Sequence, residues 1–499
     1  MLNQYKKIDW SLSLLITTII LSIGLSTYVL YSPIETSKFL SEIYWNLSKI
    51  FESTFQYGAL TIVCTLILLA LLPFGNIKVD LGNRPVHSFI SWSAMIFAAG
   101  MGATLLYWSS IEWAYYLNDP PKTAITESLK MDYARSYSIF HWGITGWAIY
   151  TLPAIAFALA VTLDKDTSFR FSSILYKRNK TNLDKLIRFA LDLIFILAVL
   201  SGAGTSLGLS FPMISAGVVS ALGINPSNII DYVVLLFCFA VFGSSVYLGI
   251  SKGIKVLSNI NLILVILFVL FIFVVGPTTY IIENSLETIH FTVKNFIQMS
   301  VATDDQFVQS WTIFYWAWWL ALAPFVGSFI ANISNGRTLR EMIMGSLIIG
   351  TIICSLYFLI LGNYSIYQSE FNGLDIPYLL NAEGTDPASV VIQVINTLPY
   401  SSFTVGVFSI IAIIFLCTTY DSAAYVLSSS TMNKGSDEPI KSLRLVYALI
   451  LIVQPALLMY MGGVDSVKWM LVIVSIPLIF VNMMLIYSII KNVRKITKS

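Results

Sequence analysis

This chain has little charge. Of its 499 residues, 11% are charged and 57% hydrophobic, and the mean hydropathy is +0.77. A soluble domain carries roughly 25% charged residues, so the composition excludes a water-soluble globular protein and points to an integral membrane protein. The 29 basic and 27 acidic residues nearly cancel, to +2. No field remains to attract nucleic acid or a strongly acidic partner. Histidine and cysteine are scarce as well. The three histidines (His87, His141, His290) and four cysteines (Cys64, Cys238, Cys354, Cys417) make no catalytic or metal-ligating constellation. That argues against an enzyme. The cysteines lie inside apolar runs without CxxC spacing and read as packing residues, without disulfide or metal.

Long apolar runs are abundant. A membrane-spanning helix needs about 20 mostly apolar residues. Such runs fall at 11–31, 57–73, 88–116, 135–163, 186–222, 232–249, 259–276, 310–333, 339–362, 402–431, 443–461 and 469–490. They predict an all-α integral membrane protein of about twelve spans. Several runs exceed a perpendicular crossing, so those helices tilt, bend or break. The first is too long for a signal h-region and lacks a small-residue cleavage site, so no cleavable signal peptide is expected. Basic residues gather on alternate loops, for example Lys78 and Arg84, Lys252 and Lys255, Arg337 and Arg340, and Lys491, Arg494 and Lys495. The positive-inside rule then places both termini in the cytoplasm of a multi-pass protein of the cell (inner) membrane. Segment 279–300 mixes apolar residues with Glu283, Glu287 and Lys294 at helical spacing, which predicts an amphipathic helix at the outer interface. The tail after residue 490 is expected to hold no folded regulatory domain.

Aromatic residues mark the interior. Four of the twelve tryptophans (Trp311, Trp316, Trp318 and Trp319) fall within nine positions of one run. Indole faces bind cations, quaternary ammonium above all. Trp311 and Trp318, seven apart, share one helix face; Trp316 and Trp319, three apart, share another. All four therefore cannot line one pocket, and some are left to pack or to line a path. In the fourth run, Trp142, Trp147 and Tyr150 fit within an arc of roughly 140° at helical spacing. The plain alternative for them is an interfacial belt or packing.

Two other stretches carry backbone and hydroxyl chemistry. The glycines of Ala98-Ala99-Gly100-Met101-Gly102-Ala103-Thr104 weaken a helix in the middle of the third run. Freed backbone groups inside a membrane are tolerated where they line a cavity or are buried in protein, and broken helices form substrate and ion sites in transporters. Close packing through small residues is the alternative. Thr418 and Thr419 in the tenth run either bond their own helix or offer hard oxygen ligands to a small cation. Intramembrane Glu112, Asp192 and Asp421 are functional or partner-bonded by default.

Together, Trp311–Trp319 (WTIFYWAWW) followed by GRTLRE at 336–341, the fourth-run segment from Phe140-His141-Trp142 to Leu152-Pro153, and Gly100-Met101-Gly102 resemble the betaine/choline/carnitine transporter family over nearly the whole chain. The resemblance implies a leucine-transporter-like fold of two inverted five-helix repeats. It would divide the chain into two N-terminal helices (1–86), a first repeat (87–278), the outer amphipathic helix (279–306), a second repeat (307–490) and a short tail (491–499). It also implies a homotrimer among membrane lipids. Trp142, Trp147, Tyr150 and Trp319 would box a trimethylammonium group, with Trp318 beside it and Trp316 on the outer path. The backbone of Ala99, Gly100, Met101 and Gly102 would meet the substrate carboxylate. One Na+ would be held by the carbonyls of Ala98, Met101 and Phe415 and the hydroxyls of Thr418 and Thr419.

Departures from the family pattern refine this expectation. Leu322 stands where a third Trp is common, and so alters the inner wall. Thr104 stands where choline carriers have Asp, which favours a zwitterion over a bare cation. Val199 and Ala203 replace the threonines of a second sodium site. Residues 190–221 contain no Arg or Lys, and Val326 occupies the position of a Met found in sodium-independent exchangers. The expected activity is Na+-coupled uptake of a glycine betaine or carnitine type of zwitterion by alternating access, with one ion site and no organic cofactor. The alternative is a Na+-independent exchanger or H+-coupled carrier for a related betaine, choline or sulfonium compound.

Overall fold

The computed structural model describes residues 11–79, 84–100, 102–164, 167–168, 170–176, 179–248, 251–432 and 439–497, excepting the side chains at 97–100, 228, 245–248, 251–257, 454–455, 457–464 and 467. Helices α1 (Leu12–Tyr31) and α2 (Pro33–Leu71) are separated by Ser32 alone. Proline has no N–H to continue the first ladder, yet its fixed φ suits the first turn of a new helix. The start of α2 carries Glu35, Lys38 and Glu42, which is why an apolar-run reading began only at residue 57.

The third and fourth apolar runs are both cut. Helix α3 (Phe89–Gly100) stops at the glycines, and α4 (Ala103–Asn118) starts behind an extended Gly102 at φ −140° and ψ 174°. The expected broken third span is therefore present. A second break, which the sequence reading did not anticipate, separates α5 (Glu127–His141) from α6 (Ile144–Leu163) at Trp142-Gly143. The short α7 (Phe171–Leu175) leads to α8 (Asn182–Leu222). A capping box of Thr181 with Asp184 opens α8, and left-handed Gly223 closes it. Helices α9 (Asn228–Leu248) and α10 (Ser251–Val275) precede α11 (Thr278–Val301), the amphipathic helix.

A π-helical turn at Val308–Thr312 enters α12 (Ile313–Ile333), and a second at Phe358–Gly362 joins α13 (Leu339–Tyr357) to α14 (Asn363–Phe371). Helices α15 (Ile376–Asn381) and α16 (Pro387–Asn396) are short; α17 (Ser401–Thr431) and α18 (Lys441–Ile496) complete the bundle. Straight, the 56 residues of α18 would span about 84 Å. They do not. Tyr447 accepts a hydrogen bond from Thr431 (3.4 Å) and Ser488 donates to the Ile174 carbonyl (3.4 Å), while Arg170 donates to the Met432 carbonyl. Both arms of α18 thus return to one end of the bundle.

Among the described residues, nine helices are long and apolar enough to cross a membrane. Part of the difference from about twelve runs follows from the break in the third run, since α3 and α4 are each short alone.

The GRTLRE segment is a clamp away from the bundle centre. Gly336 has φ +84°, and a Cβ there would stand 2.4 Å from the Arg84 carbonyl oxygen. Thr338 and Glu341 form a capping box for α13. Arg340 Nε donates to the Ala70 carbonyl (2.7 Å) and Arg337 to the His87 carbonyl (2.9 Å). The motif therefore ties the end of α2 and the 84–87 segment to the α12–α13 turn.

Candidate functional site

Both breaks open onto one small cavity of about 50 Å³, room for about four waters. Gly102 and Thr104 reach it from the first break, Trp142 and Tyr150 from the second, and Ser206 from α8. Trp318, Trp319, Leu322, Phe325 and Val326 line it from α12, and Thr419 from α17. Trp319 is the hub of the aromatic end. Its ring centroid lies 4.4 Å from that of Tyr150, 5.9 Å from Trp142 and 6.0 Å from Trp147. Trp318 meets Trp142 at 5.9 Å, nearly edge-on at 74°. Glycine makes this possible: a Cβ on Gly146 would stand 2.3 Å from Trp319 Cε2, so the indole rests directly on the α6 backbone. Gly327 likewise lets α12 approach Pro153 of α6, where a Cβ would meet Cγ at 2.8 Å.

The indole N–H groups are committed outside the cavity. Trp319 donates to the His141 carbonyl (2.9 Å), Trp318 to the Gly202 carbonyl (3.2 Å) and Trp142 to Glu112 Oε2 (2.9 Å). What the rings have left to offer is apolar surface and electron-rich faces, the chemistry that holds a quaternary ammonium. Trp147 stands behind the lining. Fully buried, it packs on Gly350 and donates to Cys354 Sγ (3.3 Å), backing Tyr150 and Trp319. Trp316 faces away, against α2, where it donates to Gln56 Oε1 (3.0 Å). The pairing of indoles by helix face thus needs correction. Neighbours Trp318 and Trp319 both line the cavity, whereas Trp316 and Trp311 lie outside. Trp311 meets Trp108 and Tyr116 edge-on and Tyr115 at a tilt, and the Lys468 ammonium sits 3.9 Å above its ring.

The opposite end carries hydroxyls. Thr104 Oγ1 and Thr419 Oγ1 lie 3.6 and 3.9 Å from where a Cβ of Gly102 would stand, so the first break faces α17. Thr419 makes no side-chain hydrogen bond among the described residues. Thr418 bonds its own helix, to the carbonyls of Ile414 (2.9 Å) and Phe415 (3.1 Å). Ser206 donates to the Gly202 carbonyl (3.2 Å). Met101 lies outside the described residues, as do the side chains of Ala98, Ala99 and Gly100. Of the other four expected ion ligands, Ala98 is described in its backbone, and Phe415, Thr418 and Thr419 with their side chains. Ser206 and Phe325 were not singled out from sequence; a hydroxyl amid the small residues of Ser201–Gly208 was the available signal for the first.

No charged side chain lines the cavity among the described residues. Glu112 stands behind Trp142, fully buried. It accepts hydrogen bonds from Trp142, from Tyr315 (2.8 Å) and from Tyr116. Tyr116 in turn meets His141 Nδ1 at 2.8 Å, and His141 Nε2 meets Thr312 Oγ1 at 3.0 Å. The other two intramembrane carboxylates are partnered elsewhere. Asp192 accepts from the Ser172 N–H and hydroxyl and faces Arg170, and Asp421 pairs with Arg444 at 3.2 Å.

A profile of the betaine/carnitine/choline transporter family (BCCT) matches residues 13–498. The chain belongs to that family. The transporter is 28% identical to a carnitine transporter of Acinetobacter baumannii, over 98% of this chain and 90% of the relative. It is 33% identical to a glycine betaine transporter of Bacillus subtilis, over 85% and 83% of the two chains. A glycine betaine/proline/choline/ectoine transporter of Vibrio parahaemolyticus is 30% identical, over 94% and 84%. This is a transporter and not an enzyme, and the family's multi-pass membrane character agrees with the apolar helices.

Proposed function

We propose that this transporter couples Na+ entry to uptake of a compact trimethylammonium zwitterion of the glycine betaine or carnitine type, by alternating access. The observation that carries the reading is the cavity's polarity: indole and phenol faces at one end, hydroxyls at the other, and no formal charge between among the described residues. A desolvated net charge would cost several kcal/mol there. A zwitterion brings its own counter-charge, setting its cation on the rings and its carboxylate toward Gly102, Thr104 and Ser206. Na+ would be carried at the break of the third span, on oxygens of Thr419, Thr418 and the carbonyls of Phe415, Ala98 and Met101. Oxygen donors suit a hard cation, and the unbonded hydroxyl of Thr419 supports the fit. Ion and substrate would then stabilise one arrangement of α3–α4 against α17, with a reciprocal coupling of about 1–3 kcal/mol. The proposal includes the two inverted repeats, a homotrimer, and both termini in the cytoplasm, the last on the charge of the loops.

The test is uptake of labelled glycine betaine into proteoliposomes under an imposed Na+ gradient, under K+ in its place, or under a pH gradient. Accumulation that needs Na+ supports the reading; Na+-indifferent counterflow would replace it with exchange. The chain of Glu112, Tyr116, His141 and Thr312 favours a second reading, H+ coupling. It predicts accumulation driven by the pH gradient alone and abolished by Glu112→Gln.

A further inference from the structure

Far from the substrate cavity, a groove of about 850 Å³ opens between the end of α6, α7 with Tyr176, and the last turns of α18. Its composition is graded. Leu163, Ile174 and Leu175 form an apolar wall opposite Met483 and Met484, which are 36% and 39% exposed. Along α18 the same side then presents Tyr487, Lys491 and Lys495. The step from Met484 to the two lysines covers about 10–17 Å of helix, the order of the passage from acyl chains to headgroup. Lys491 and Lys495 stand four residues apart on one face, and neither makes an ion pair among the described residues. Asp164 lies at the same rim but has a partner of its own. Basic residues in the last turn of a helix also answer its dipole. The dipole does not, however, require a trough of apolar side chains beneath them.

We infer that this groove is a binding site for one anionic phospholipid, its acyl chain in the trough and its phosphate between Lys491 and Lys495. A lipid fits better than a protein partner because the groove's polarity changes along a single helix, from methionines to lysines. On the positive-inside reading of the loops, its basic end lies at the cytoplasmic leaflet, where anionic headgroups meet basic side chains.

The experiment is native mass spectrometry of the full chain, delipidated in detergent, with phosphatidylglycerol or phosphatidylcholine added, and with inorganic phosphate as competitor. Each lysine is worth about fivefold near an anionic surface, so the wild type should prefer phosphatidylglycerol by roughly 25-fold. Lys491→Gln with Lys495→Gln should bring the preference close to unity, while Lys294→Gln on α11 leaves it intact. Met484→Trp, which fills the trough, should reduce retention of both lipids, and it stands as the independent test if the double variant misfolds. Preference that survives in the double variant would overturn the inference. So would displacement by phosphate alone, or a change in oligomeric state in place of lipid loss, which would make the groove a subunit contact.

Discussion

Gly146→Ala tests the aromatic site with a single methyl group. The added carbon would stand 2.3 Å from Trp319 Cε2, 2.6 Å from Cζ2 and 2.7 Å from Cδ2, where ordinary contact begins at 3.4 Å. The indole must retreat by about 1.1 Å, and its surroundings leave it little room. The Tyr150 ring lies 4.4 Å away by centroid, tilted by 58°, and Nε1 is tied to the His141 carbonyl at 2.9 Å. A shift of that size breaks the hydrogen bond, at about 1 kcal/mol, and strains the α6–α12 contact by about 1–3 kcal/mol. Both costs fall on folding. The part that falls on binding is the lost cation–π geometry, up to about 2 kcal/mol in a dry site. Affinity for glycine betaine should therefore drop roughly 30-fold.

The assay is a tryptophan-fluorescence titration of purified protein in Na+, repeated by calorimetry because the mutation disturbs a reporting indole. Gly24→Ala is the control, since nothing lies within 4 Å of that position. Size-exclusion behaviour and thermal unfolding separate a binding loss from a folding loss. Trp319→Leu, which removes the ring altogether, should abolish measurable binding. A folded Gly146→Ala protein that binds within about threefold of wild type would refute the placement of Trp319 as a wall of the site.

Four further outcomes are expected. Thr419→Ala should raise the Na+ concentration for half-maximal uptake about tenfold or more, the value of a bond to a charged group; Thr418→Ala should weaken Na+ dependence less, because that hydroxyl already serves its own helix. Gly202→Ala, whose methyl would stand 2.9 Å from Leu322 Cγ, should push Leu322 into the cavity and exclude carnitine more than glycine betaine in competition assays, with Leu322→Ala restoring the balance. Cys354→Ala leaves the Trp147 N–H buried without its acceptor, at a cost of about 1–3 kcal/mol; thermal stability should fall with little change in affinity, and Cys354→Ser should recover it. Glu112→Gln should weaken binding through Trp142 at every pH if uptake is Na+-driven, and should specifically remove the response to a pH gradient if it is H+-driven.

The helices, the amphipathic α11 and the break at Gly102 were legible because each has a local cause: apolar length, helical spacing, or closely spaced glycines. The break at Trp142-Gly143 was not. One glycine in an apolar run is a weak signal, and the helix parts there because Trp142 turns to bond Glu112 of another helix while His141 offers its carbonyl to Trp319. Long-range partners decided it. The doubling of α18 was legible in outline, because 443–461 and 469–490 read as two apolar runs; what its two arms touch then fixes the reversal.

Which tryptophans form the site was the hardest thing to read, and glycines explain why. Helical spacing gives the direction of an indole but not the depth of the surface it meets. Trp319 reaches the cavity wall because Gly146 lets it lie on backbone, and Trp147 sinks behind that wall because Gly350 lets its ring within 2.1 Å of a would-be Cβ. Trp316, three residues before Trp319, finds Gln56 of α2 instead. The aromatic residues announce the chemistry, while residues without side chains set where it happens. Substrate selectivity should therefore respond to substitutions at Gly146, Gly202 and Gly350 as well as to the rings themselves.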